Sequence, residues 1–187
     1  MNYHTNDIPL PILGITAHSG TGKTTLLKQL IPLLRQQHNI RIGLIKHTHH
    51  NIDVDTPGKD SYELRKAGAA QTLVASQKRW ALMTETPELP ELDLQYLASQ
   101  FDKESLDLIL VEGFKQEPIP KIALYRNGLG QAVDDILDPY VIAIASDITL
   151  STSHLQLDIN QPGQIAIFIA EWLYTQWISS CIAAARE

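Results

Sequence analysis

The chain has 187 residues, 44% hydrophobic and 19% charged, enough for one globular domain that folds without a disulfide or structural metal. Fifteen Lys and Arg against twenty-one Asp and Glu leave a net charge of −6, which argues against a general DNA or RNA binder. Cys181 is the single cysteine, so an intrachain disulfide and a multi-cysteine zinc site are both excluded.

The first residues, MNYHTNDIPLP, have neither the basic start nor the long apolar core of a signal peptide, and a soluble cytoplasmic protein is expected. Short Ile-, Val- and Leu-rich runs then alternate with segments of helical period. Ile12–Ala17 reads as a strand, and Thr24–His38 as a helix with Leu26, Leu27, Leu30, Leu33 and Leu34 on one side. Ile40–His47 is a second strand, Asp60–Ala67 a short helix, Gln71–Ala75 a strand and Trp80–Met83 another. Leu92–Phe101 reads as helical, and LDLILV (Leu106–Val111), Lys121–Tyr125 and Val141–Ala145 as strands. Gln164–Ala185 is long and apolar enough to raise the question of a membrane span. Glu171 near its middle would cost about 2–3 kcal/mol in a bilayer. A mostly buried C-terminal helix, with no membrane, is the expectation. Its Phe168, Trp172 and Trp177 could extend beyond the core to cover a partner. The alternation predicts an α/β fold, a mostly parallel sheet with helices on both faces. One domain over residues 1–187 is expected, with a hairpin or loop inserted around 79–91, where Pro87 and Pro90 fall.

The most specific local signal is ITAHSGTGKTTLLKQL, Ile15–Leu30. A strand enters a two-glycine loop and Lys-Thr-Thr opens a leucine-patterned helix, the setting of a P-loop NTPase (Walker A). Gly20 and Gly22 allow backbone amides to approach an anion, and the new helix aims unsatisfied N–H groups at the same point. Ser19, Gly20, Thr21, Gly22, Lys23, Thr24 and Thr25 are the expected phosphate-binding set. Lys23 would bring a charge to the β- and γ-phosphates, Thr24 a hydroxyl to Mg²⁺, and Thr25 a hydrogen bond to another phosphate oxygen. The usual pattern has glycine six positions before the lysine; here it is Ala17, admissible where φ is negative.

Mg²⁺ needs hard oxygen ligands, and in a parallel sheet these stand at the carboxyl ends of neighbouring strands. Glu112, after LDLILV, fits, and Gly113 would permit close backbone approach to a γ-phosphate. Of Asp53, Asp55 and Asp60, Asp55 or Asp60 is favoured as a further metal contact, while Asp60 could equally be a helix N-cap. Lys46 is a candidate phosphate or substrate contact. His47, His49 and His50 could bind a transition metal, touch a partner, or be ordinary loop histidines.

SGTGKTTL, LIKHTHH, the run DTPGKDSYELRKAGA, QKRWALMTE, LDLILVEGFK and IAIASD together resemble the MobB family, the molybdopterin-guanine dinucleotide biosynthesis adaptors. The resemblance covers nearly the whole chain. It implies a P-loop fold that forms a homodimer around its nucleotide, GTP as the preferred ligand with Mg²⁺, and slow hydrolysis in which Lys23 and Glu112 take part. It also implies association with the molybdopterin guanylyltransferase and other molybdenum cofactor assembly proteins. The Asn-Lys-x-Asp guanine reader of GTPases is absent, and Asp147, ending Ile144–Asp147, is the candidate for that role. Two alternatives stand beside the adaptor: a ligase or transferase resembling dethiobiotin synthetase, and a metal-delivery GTPase using the histidine loop. The first predicts turnover that rises with a small acceptor, the second metal retained on dialysis.

Overall fold

The computed structural model describes residues 9–48, 53–87 and 92–184. They fall into two compact units, one formed by the described residues up to His47 and from Leu94 onward, the other by those between Thr48 and Asp93.

In the first unit the strands are β1 (Ile12–Ala17), β2 (Ile42–Lys46), β5 (Leu108–Glu112), β6 (Lys121–Tyr125), β7 (Val141–Ser146) and β8 (Gln156–Asp158). They form one sheet in the order β2-β5-β1-β6-β7-β8, every neighbouring pair parallel. The apolar runs are continuous because both faces are covered. Successive residues of β5 point to opposite sides. Leu108 and Leu110 join the core made with helices α1 (Lys23–Gln37) and α4 (Pro162–Ala184). Ile109 and Val111 join a second cluster with Leu94 of α3 (Leu94–Ser99). Helices thus lie on both faces, as the sequence pattern predicts.

Boundaries shift by one or two residues at most ends, and two elements were not anticipated: β8 and the 3-10 turn Val133–Ile136. The expectation of a mostly buried C-terminal helix is corrected. α4 packs through Ile165, Ala166, Ile169 and Leu173, while Ile167, Tyr174, Trp177, Ile178 and Ile182 are exposed. Only 22% of its apolar stretch is buried. By length and composition it is the one helix among the described residues that could cross a membrane. It is apolar almost all round, so composition could not indicate which stripe meets α1 and the sheet.

The second unit carries α2 (Asp60–Lys66) and an antiparallel hairpin, β3 (Gln71–Ala75) with β4 (Trp80–Thr84). The hairpin begins upstream of the 79–91 stretch and turns at Ser76, whose amide donates to the Arg79 carbonyl at 2.8 Å. Arg65 of α2 is buried and donates to Asp53, Asp55 and Glu85 at 2.7, 2.8 and 2.8 Å. The N-cap of α2 is Lys59, so Asp60 is not the cap; it lies in the first turn, where its charge favours the helix dipole.

Candidate functional site

β1 delivers the chain into the glycine loop at Ala17, a strand residue without a positive φ, which is why alanine is accepted there. Gly20 and Gly22 have φ of +80° and +101°, and a Cβ at either would meet nothing within 4 Å. The glycines are required by backbone conformation, and the space before the loop is open. Gly22 caps α1 without any side-chain hydrogen bond, and the first turn holds no acidic residue. The first amides of α1 therefore still call for an acceptor, and the helix dipole favours an anion as that acceptor. Thr21 is buried and its hydroxyl donates to the His18 carbonyl at 3.0 Å. Lys23 folds back over the loop, donating to the carbonyls of Ala17 at 3.3 Å and His18 at 3.0 Å. Partial burial lowers the Lys23 pKa; nearby Glu112 works against this, and Lys115 and Lys46 add to it. Ser19, Thr24 and Thr25 are exposed along the same segment.

Glu112 is the last residue of β5, level with Ile15 of β1 and Lys46 of β2. Its side chain is buried, and it brings together two residues named from sequence. The Thr24 hydroxyl reaches Oε1 at 3.5 Å and Lys46 Nζ reaches Oε2 at 3.3 Å. A hydroxyl and a carboxylate at this separation form a hard-oxygen pair suited to Mg²⁺, and the open, glycine-lined loop beside them suits phosphate. Gly113 has φ +103°, and a Cβ there would lie 2.7 Å from His47 Cβ. The His47 amide donates to the Glu112 carbonyl at 2.8 Å, and its ring stacks on Phe114 with centroids 4.6 Å apart. His47 therefore braces the strand end that carries Glu112. Phe114, at φ +48°, was not singled out from sequence.

Asp147 follows β7. Its Oδ1 accepts the Asn127 amide at 2.8 Å, and Oδ2 lies 3.8 Å from Arg126. Asp55 and Asp60 belong to the second unit. Asp55 is held by Arg65, at 2.8 Å to Oδ1 and 3.5 Å to Oδ2, and these hydrogen bonds lower its pKa against the opposing effect of desolvation. His49 and His50 lie outside the described residues. Among the described residues no group of three or more His, Cys, Asp or Glu is arranged to hold a metal ion.

Residues 12–147 match the family described as Molybdopterin guanine dinucleotide synthesis protein B, MobB. The Escherichia coli molybdopterin-guanine dinucleotide biosynthesis adapter protein is 61% identical over 168 residues, covering 89% of this chain and 95% of its own. The Haemophilus influenzae protein of the same name is 53% identical over 165 residues, covering 88% of this chain and 90% of its own. The fold is shared with a crystal structure of molybdopterin-guanine biosynthesis protein B at TM-score 0.71 and 24% identity, covering 87% of this chain and 99% of that one. Bacillus subtilis MobB superposes at TM-score 0.67 and 20% identity, over 86% of this chain and 97% of its own. A parallel sheet with a P-loop after β1, a buried glutamate at the end of the adjacent strand and these sequence matches lead to one assignment: the chain belongs to the MobB family.

Proposed function

We propose that this protein binds Mg·GTP at the Ser19–Thr25 loop and acts as a nucleotide-dependent adaptor in molybdopterin guanine dinucleotide biosynthesis, docking to the guanylyltransferase. The observation that carries the reading is the side-chain-uncapped start of α1 beside the Thr24–Glu112 pair. Magnesium, when bound, would offset phosphate charge, held by the Thr24 hydroxyl and the Glu112 carboxylate. Asp55, favoured from sequence as a metal contact, is committed to Arg65. Lys23 would exchange two loop carbonyls for phosphate oxygens, and Gly113 would let its backbone approach the terminal phosphate. Phosphoryl transfer depends on a positioned water and a cation on the transferred group. Lys46 bonds to Glu112. Slow hydrolysis is part of the proposal because it is what the family resemblance implies. The 61% identity to an adapter supports an accessory role over a ligase; a cytoplasmic location and a homodimer belong to the proposal as what the family resemblance implies.

Isothermal titration with GTP and ATP, with and without the guanylyltransferase, tests the proposal. Nucleotide and partner should each raise the other's affinity by the same factor. Partner affinity that is indifferent to nucleotide would refute the adaptor. Sedimentation velocity reports whether the chain is a dimer.

A further inference from the structure

β6, β7 and β8 finish in one row: Tyr125 is level with Ser146, and Ser146 with Asp158. The residues just past this row therefore gather at the carboxyl edge of the sheet, where parallel α/β sheets bind ligands. Arg126 is the hub. Its Nε donates to the Thr21 carbonyl of the phosphate loop at 3.5 Å, and one terminal nitrogen donates to Asn160 Oδ1 at 3.4 Å. That nitrogen also lies 3.8 Å from Asp147 Oδ2. Asp147 is turned toward this group by the Asn127 backbone amide on Oδ1, and the Asn160 backbone N–H donates to Asp158 Oδ1 at 2.8 Å, fixing the chain that carries the carboxamide. A carboxylate and a carboxamide are thus presented side by side, joined to the phosphate loop by one guanidinium.

We infer that Arg126, Asp147 and Asn160 form a base-reading subsite, an inference that rests on the nucleotide reading of the loop. Guanine offers two adjacent donors, N1–H and the 2-amino group, beside the acceptor O6. The Asp147 carboxylate accepts from the donors. The Asn160 amide, whose oxygen is occupied by Arg126, donates to O6. Adenine places a lone pair at N1 against the carboxylate and has no acceptor at position 6, so it is rejected by an unpaired polar group on each side. Arg126 is a positioning residue: it orients both readers and sets their distance from the phosphates.

The test is titration of the full chain with the magnesium complexes of GTP, ITP, ATP and tripolyphosphate. ITP lacks the 2-amino group and should bind wild type about tenfold more weakly than GTP. Asn160→Ala should weaken GTP and ITP about tenfold each, and leave ATP and tripolyphosphate within about twofold. Arg126→Ala should lower the GTP-to-ATP ratio on the same scale while tripolyphosphate stays within about threefold, and Arg126→Lys should recover part of the ratio. Losses that fall equally on all four ligands, or an unchanged GTP-to-ATP ratio, would overturn the subsite and leave the phosphate loop standing. Wild-type protein that binds neither nucleotide nor tripolyphosphate would overturn both.

Discussion

Gly113→Ala tests whether the strand end carrying Glu112 is set by close packing. The φ of +103° is shared in kind by Gly128, at +83°, where a Cβ would meet nothing within 4 Å. Alanine at Gly128 meets only the backbone preference, about 1–2 kcal/mol, partly offset by about 0.4–1 kcal/mol from a stiffer unfolded chain. At Gly113 the new methyl would lie 2.7 Å from His47 Cβ and 3.3 Å from the His47 carbonyl. Carbon atoms settle at about 3.5–4 Å, so β5 or the end of β2 must move by close to 1 Å, and overpacking of this kind costs about 1–3 kcal/mol more. With the same offset the sum is about 1–5 kcal/mol, equivalent to a Tm lower by roughly 2–18 °C for a chain of this size, against roughly 0–6 °C for Gly128→Ala. Differential scanning calorimetry on both variants reads the difference. His47→Gly should return part of the loss in the double variant, because it removes the atom struck. Equal losses at Gly113 and Gly128, or no coupling to His47, would show that the close approach does not matter. A displaced strand end would also separate Glu112 from Thr24, so the surviving folded Gly113→Ala protein should need more Mg²⁺ to bind GTP.

Three further outcomes are expected. Lys23→Ala should weaken GTP by about tenfold to a hundredfold in titration, since a charged hydrogen-bond donor to phosphate is lost, and should not lower the unfolding free energy by more than about 1 kcal/mol. Glu112→Gln should raise the Mg²⁺ concentration for half-maximal GTP binding by about tenfold or more, with metal-free nucleotide affinity changed little. Burial holds the Lys23 pKa below the ordinary lysine value, so the folded protein releases this proton before the unfolded chain does. As pH rises through that alkaline window the unfolded state binds more protons and stability increases. Phosphate would raise the same pKa, so binding takes up a proton there and GTP affinity falls, by at most about tenfold per pH unit. Affinity independent of pH across that window would remove Lys23 from the phosphate contacts.

The elements that local pattern expresses are the ones the sequence made readable. β1, the glycine loop and α1 are contiguous, and their chemistry is written in neighbouring residues. Glu112 was equally visible, because a run of apolar residues ending in a carboxylate describes a buried strand reaching its edge. The three-residue β8 has too little length to show a period. α4 misled for the opposite reason. Its apolar residues encircle the helix, and burial depends on which neighbours exist, which its own pattern cannot express. Asp55 looked like a free metal ligand, yet Arg65, ten residues on, takes both its oxygens; the pairing needs α2 to turn the guanidinium inward.

Arg126 and Asp147 differ in how far along the chain their partners lie. Asp147 stands at a strand end, a place sequence can locate. Arg126 also follows a strand, but its significance comes from Thr21, 105 residues earlier, and Asn160, 34 residues later. No spacing rule connects those positions; only the β1-β6-β7-β8 order of the sheet brings them to one edge. A usable signal does exist once the order is known. In a parallel sheet, polar residues immediately after successive apolar strands share an edge. An arginine among them, with a carboxylate after the next strand and an amide after the one beyond, is a donor-and-acceptor set before any ligand is considered. The ends of β6 and β7 read as a row place Arg126 beside Asp147, whereas Asn160 follows β8, three residues that carry no strand pattern of their own.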